Sequence, residues 1–219
     1  SRTSLKKAIT TRAWRRAAPI RAAIDEQPLV RGLGDGTLSE DRFNYYMTQD
    51  ALYLVEYGRV LAGVASLSGE PDEFAFWCDC AKQALVAERE LHAAHVDLMS
   101  GATASPTCRA YTDFLIARAA VSPYAVGAGA ALPCHWLYAE IGAAVPQVDP
   151  DHRFAAWLST YHDPAFAAAA AQAVAAVEEA MKTATPAERA QAARAYLLAS
   201  RHELEFFDQA LRLRAGGSR

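Results

Sequence analysis

The sequence predicts an all-α protein, a single-domain helical bundle, on three observations. Apolar residues recur at helical spacing from end to end of the 219 residues. Sustained period-2 alternation bounded by Asn-Gly or Asp-Gly turns is missing. Proline follows an N-capping residue at Ser105-Pro106, Ser122-Pro123, Asp163-Pro164 and Thr185-Pro186. Proline at the first helical position loses no hydrogen bond, because the N–H there has no intrahelical partner, and Thr185-Pro-Ala-Glu188 adds a capping box.

Leu5, Ala8, Ile9, Ala13, Ile20 and Ile24 define a first helix near 4–26, and Gly32-Leu-Gly34-Asp-Gly36 reads as a loop. The next helix, near 39–67, carries an aromatic stripe. Ser68-Gly69-Glu-Pro71 marks its end, and a long third helix near 72–99 stops at Ser100-Gly101. The proline signals open helices near 106–120, 123–143, 164–182 and 186–213, with a shorter one near 151–161. The run Ala167 to Ala171 is strong helix former. Connections are short and no repeat or linker interrupts them, so residues 1–219 read as one domain.

Composition narrows the partners. With 52% hydrophobic and 21% charged residues and a net charge of −3, the chain has no electrostatic reason to bind nucleic acid. Small, neutral or weakly charged ligands fit it better. No unbroken apolar stretch follows the basic segment Ser1 to Arg21, which argues against secretion and against a membrane span. Cys78, Cys80, Cys108 and Cys134 are too few and irregular for a disulfide scaffold, so reduced thiols in a cytoplasm are expected. Cys78-Asp-Cys80 has no second Cys or His pair at zinc spacing and reads as packing; no metal or cofactor is expected.

Three helices each place one reactive side chain on an apolar face. In the second, Phe43, Tyr46, Asp50, Tyr53, Leu54 and Tyr57 share a face, so a carboxylate sits among rings that would otherwise be core. Burying a charge costs several kcal/mol or shifts its pKa, so the tyrosine hydroxyls read as the lining of a polar pocket. In the last helix Glu203 falls between Tyr196, Ala199, Phe207 and Ala210, whereas Glu205 faces out beside Arg201, Asp208 and Gln209. Burial would raise the Glu203 pKa and make it an acid near neutral pH. Cys134 shares its face with Gly127, Ala130, Ala131, Tyr138 and Ile141, small residues that leave room for a ligand. A thiol reacts as thiolate and needs a partner, for which Asp50 is a candidate. Taken singly, Cys134 reads as packing, and Asp50 and Glu203 equally as structural carboxylates paired with arginines, Arg59 among them.

Gln27-Pro-Leu-Val-Arg-Gly-Leu-Gly-Asp-Gly-Thr-Leu38, followed by Phe43-x-x-Tyr46-x-x-Gln49-Asp50-x-x-Tyr53-Leu54-x-x-Tyr57-x-Arg59, resembles the N-terminal half of the TenA-type thiaminase II family, the aminopyrimidine aminohydrolases of the cysteine-containing class. Leu132-Pro-Cys134-His-Trp136-Leu-Tyr138-Ala-Glu-Ile-Gly142 is similar to its cysteine segment. Trp157-Leu-Ser-Thr-Tyr161 is similar to its late tyrosine segment, and Glu203-x-x-Phe206-Phe207-Asp208-x-Ala210 to its C-terminal glutamate helix. The resemblance runs in order over nearly the whole chain.

That resemblance implies a haem-oxygenase-like helical fold, without haem, that hydrolyses an aminopyrimidine in thiamine salvage. It implies Cys134 as nucleophile, Asp50 as the residue holding the ring amino group and nearby nitrogen, and Glu203 as the acid. Tyr53 and Tyr138 match positions that orient ring and thiol, and Tyr111 and Tyr161 match aromatic pocket positions, beside Tyr46. Phe207 stands where the family usually has tryptophan. Homotetramers are expected from the same resemblance. Two other readings stay open: a diiron oxygenase, suggested by Glu88-x-x-x-His92-x-x-His95 but opposed by a last helix whose only histidine, His202, is expected to face out, and a binder that has lost the reaction.

Overall fold

Ten helices build the described residues, 12–213, of the protein's computed structural model: α1 (Arg12–Asp25), α2 (Pro28–Asp35), α3 (Glu40–Leu67), α4 (Pro71–Ala94), α5 (Val96–Met99), α6 (Pro106–Val121), α7 (Tyr124–Ala144), α8 (Ala155–Tyr161), α9 (Pro164–Thr183) and α10 (Pro186–Leu211). No strand occurs among these residues, as the sequence predicts. The start of the predicted helix 4–26 and the end of 186–213 lie outside the described residues.

Among the described residues, side chains fix five of the ten helix starts. Ser39, Ser105 and Thr185 accept from the N–H groups of Arg42, Cys108 and Glu188, and Asp163 accepts from Ala165. Glu188 returns the bond to the Thr185 N–H at 2.8 Å, completing the capping box. Each such cap stabilises its helix by about 1 kcal/mol.

Four boundaries differ from the sequence-based expectation. Pro28–Asp35 is helix rather than loop: Gln27, an unusual capping residue, accepts from the Leu29 N–H at 2.8 Å ahead of Pro28, and only Gly36, at φ 77°, leaves the helix. Ser122 ends α6, and Pro123 flanks α7 with its carbonyl accepting from Val126 and Gly127, so Ser122 does not cap. The long helix predicted for 72–99 breaks at His95 (φ −136°, ψ 42°), whose carbonyl starts α5 by accepting from Leu98 and Met99. Residues 151–154 form a turn before α8, held by Asp149 accepting from the Asp151 N–H at 3.0 Å.

The packing order explains the site. α7 is predominantly apolar and buried along most of its length, so it lies at the centre, packed against α10, α9, α6 and α3. α3 packs against α4 and α6 and reaches α10, while α1 and α2 close over α10. Arg21 of α1 ties to Glu140 of α7 at 2.7 Å and lies 4.2 Å over the Trp136 ring. α8 rests on α7 where Gly142 leaves no side chain: a Cβ there would stand 2.9 Å from Tyr161 Cβ. Tyr46, Trp77, Tyr111, Phe206 and Phe207 are the largest fully buried rings, and four of these five belong to the candidate site.

Candidate active site

Asp50 projects from the middle of α3, one turn from both Tyr46 and Tyr53. No hydrogen bond or ion pair reaches its carboxyl among the described residues, and Arg59, the partner considered from sequence, pairs with Glu56 instead at 3.2 Å. Desolvation raises the Asp50 pKa to about 7, although the residue keeps some accessible surface. A desolvated carboxyl that is neither sealed nor paired is poised to gain or lose a proton near neutral pH.

Cys134 comes from the centre of α7, immediately after Pro133, and is half-buried. Burial pushes its thiol well above the ordinary range, and the charges of Glu203 and Asp50 push the same way. The nearby hydroxyls of Tyr53 and Tyr57 oppose this by favouring the thiolate. The Tyr53 hydroxyl is buried with no hydrogen-bond partner. Both carboxyls and the thiol therefore sense one another across three helices.

Glu203 lies on the buried face of α10 with 2% of its surface exposed. Its Oε1 accepts from the Tyr111 hydroxyl at 2.6 Å, and no arginine pairs with it. Desolvation raises its pKa to about 8; the Tyr111 bond lowers it, and the Asp50 charge raises it further. Glu205, as expected, faces out and pairs with Arg212 at 3.1 Å.

The aromatic residues form one connected wall. The hydroxyls of Tyr46 and Tyr138 are 2.5 Å apart, joining α3 to α7. The Tyr53 ring lies 5.0 Å from Tyr111 and 5.6 Å from Phe206. Phe207 stacks on Tyr46 at 5.9 Å and lies 5.8 Å from Tyr138, so the phenyl ring supports two hydroxyl-bearing neighbours. Tyr161 of α8 approaches Tyr138 at 5.7 Å and accepts from Trp157 Nε1 at 2.9 Å. Burial holds all these tyrosines in their neutral, proton-donating form. Thus every candidate residue, Asp50, Cys134, Glu203, Tyr46, Tyr53, Tyr111, Tyr138, Tyr161 and Phe207, joins one cluster.

Two placements correct the helical-wheel reading. His202 does not face out: it is half-buried, stacked parallel on Tyr111 at 5.3 Å and against Phe114 at 5.2 Å, because the α6 rings extend past the helix face. Gln209 is buried too, its Oε1 accepting from Ser105 Oγ at 2.6 Å, since the loop before α6 covers that side of α10. Sequence reasoning missed the contact of Tyr57 with His135, 2.8 Å from hydroxyl to Nδ1, because no spacing rule links residues 78 apart. Trp157 and Phe206 were legible only as members of family segments.

Glu88 and His92 stand 3.8 Å apart near the end of α4, with His92 exposed and His95 at the helix end. No group of three or more His, Cys, Asp or Glu side chains suited to a metal occurs among the described residues. Cys80 is buried, as the packing reading expects, whereas Cys78 is exposed and does not pack. No helix among the described residues is long and apolar enough to cross a membrane.

The sequence matches the TENA/THI-4/PQQC family over residues 14–213, and the chain belongs to that family. It is 44% identical over 208 residues to the thiamine biosynthesis multifunctional protein ThiED of Corynebacterium efficiens, covering 92% of this chain but 28% of that protein. The chain thus spans less than a third of the length of that curated relative. It is 29% identical to the aminopyrimidine aminohydrolase of Bacillus subtilis, over 84% of this chain and 82% of that enzyme. Among solved structures it is similar to the TenA homologue protein from P. horikoshii OT3, with a TM-score of 0.79 and 26% identity over 93% of this chain and 98% of that one.

Proposed function

We propose that this chain is an aminopyrimidine aminohydrolase of thiamine salvage. Its substrate in this reading is 4-amino-5-aminomethyl-2-methylpyrimidine, converted to the hydroxymethylpyrimidine with loss of ammonia; thiamine, which shares the ring, is the second candidate. The observation that carries the reading is a thiol and two carboxyls, each from a different helix, acting on one another inside a tyrosine-lined cluster. The Bacillus subtilis relative, similar over most of both chains, supports it.

Asp50 holds the ring amino group and the adjacent nitrogen, supplying the partner that its unpaired carboxyl lacks. Tyr161, Tyr138 and Tyr46 bound the ring, with Phe207 behind them. The Cys134 sulfur bonds to a ring carbon as the thiol proton passes to Asp50, and Glu203 gives its proton to a ring nitrogen. Glu203 takes the proton back from the ring nitrogen and delivers it to the amine as electrons return from the dearomatised ring and the exocyclic carbon–nitrogen bond breaks. Water then adds to the exposed methylene while Glu203 accepts a proton. Cleavage of the carbon–sulfur bond restores the aromatic ring, and Asp50 returns its proton to the sulfur.

The test is mass-spectrometric product analysis of the purified protein with the aminomethylpyrimidine and thiamine in separate reactions. Hydroxymethylpyrimidine from either establishes the hydrolase, and the ratio of rates ranks the substrates. Binding without product favours the non-catalytic reading; stoichiometric iron in active protein favours the diiron one. The reading includes a cytoplasmic homotetramer. Exposed Phe74, Leu85 and Val86 on α4 offer apolar contact area for assembly, and light scattering at four chain masses checks it.

A further inference from the structure

The residue after the candidate nucleophile has a partner that the proposed chemistry does not use. His135 Nδ1 lies 2.8 Å from the Tyr57 hydroxyl, and that same hydroxyl lies 2.7 Å from the Ala131 carbonyl oxygen, one helical turn before His135. A phenol has one proton to give, and a carbonyl can only accept. With Nδ1 carrying the proton, the arrangement is internally consistent: His135 donates to the Tyr57 oxygen, and Tyr57 donates its own proton to Ala131. Ala131 and His135 flank Cys134 on α7, so the Tyr57 hydroxyl sits against the same stretch of helix as the thiol, and the two groups act on each other's protonation. The hydroxyl therefore has two alternative acceptors, the carbonyl and the sulfur, and one donor that fixes the oxygen in place.

We propose that His135 is a positioning residue for Cys134: it holds the Tyr57 oxygen so that the hydroxyl turns its proton from the Ala131 carbonyl to the sulfur when the thiolate forms. No bond to carbon or sulfur is made or broken in this turn, and no proton changes owner. The surroundings suit a fixed neutral imidazole. The edge of His135 meets the Trp77 ring, at 6.4 Å and 81°, and Trp77 is itself anchored by its Nε1 donating to the Tyr124 hydroxyl at 2.9 Å. Burial pushes the His135 pKa down to about 4, so the ring stays neutral and carries a single N–H. Tyr53, whose buried hydroxyl has no hydrogen-bond partner, is a second donor available to the sulfur, and Tyr57 is the donor that His135 holds in place.

This rests on Cys134 being the nucleophile, and its test is separable from turnover. The rate of iodoacetamide alkylation at Cys134, resolved from the other cysteines by peptide mass spectrometry, reads thiolate formation directly. His135→Phe and Tyr57→Phe should each slow it by about tenfold, and the double variant should be no slower than either single one. His135→Asn, which keeps a donor near the Nδ1 position, should recover to within about threefold of wild type. In turnover, kcat should fall in step with alkylation while KM stays constant. Unchanged alkylation in both single variants, or additive losses in the double, overturns the pair. Absence of product from the wild-type protein overturns the hydrolase reading alone, because the alkylation comparison needs no turnover.

Discussion

At the scale of single residues, the site depends on two carboxyls held away from their ordinary protonation states. Desolvation leads both shifts, to about 7 for Asp50 and about 8 for Glu203, and the charge of Asp50 adds to the second. A base must be ionised and an acid protonated to act. Turnover should therefore rise as pH passes upward through the lower value and fall as it passes the higher, giving a narrow bell in kcat/KM between them. The two limbs belong to the coupled pair. Glu203→Gln keeps an acceptor for Tyr111 but removes the proton, so it should erase the upper limb along with most of the rate. Retention of that limb would assign it to another group. Much of this site was legible in the sequence, because a carboxyl at helical spacing among rings stands out against an apolar face. The Tyr111–Glu203 bond and the Tyr57–His135 contact were not, since they join residues 92 and 78 positions apart and depend on the angles between helices.

At the scale of elements, the helix starts that sequence signals place correctly are those with a Ser, Thr or Asp before proline at Ser105, Asp163 and Thr185. The ones it misplaces use less usual chemistry. Gln27 caps α2, and Pro123 serves through its carbonyl alone. Outward and inward faces at His202 and Gln209 were misread because a helical wheel describes one helix, whereas burial depends on what its neighbours cover. The contact of α8 with α7 is the element-level feature that matters most for the site, since it positions Tyr161. Gly142→Ala would drive a Cβ into the Tyr161 backbone at the end of α8. The expected result is a thermal midpoint several degrees lower and a KM raised more than kcat is reduced, with overpacking costing about 1–3 kcal/mol. A midpoint and KM equal to wild type would show that α8 shifts freely and does not fix the pocket wall.

At the scale of the whole molecule, the fold gathers its reactive groups by burying one predominantly apolar helix, α7, and packing α3, α6 and α10 around it. The sequence placed a helix near 123–143 with small residues beside Cys134, but not its position at the centre, which depends on how the other helices pack. It did not show which helices cover it. Since the site draws on α3, α6, α7, α8 and α10, we propose that the chain unfolds as one cooperative unit. Calorimetric and van't Hoff enthalpies of the unliganded protein should agree, with correction for any subunit dissociation, and the aminomethylpyrimidine at 100 times its Kd should stabilise the fold by about 2.7 kcal/mol. Two separated transitions would mean that the site is assembled from independently folding parts.

The central claim is that Cys134 forms and breaks a bond to the pyrimidine, and the most direct measurement is the initial rate of hydroxymethylpyrimidine formation by the wild-type protein and by Cys134→Ser at equal thermal midpoint. The account predicts a loss of at least about a thousandfold, because oxygen in place of sulfur removes the nucleophile and leaves only binding and proton transfer. A Cys134→Ser rate within tenfold of wild type would contradict it.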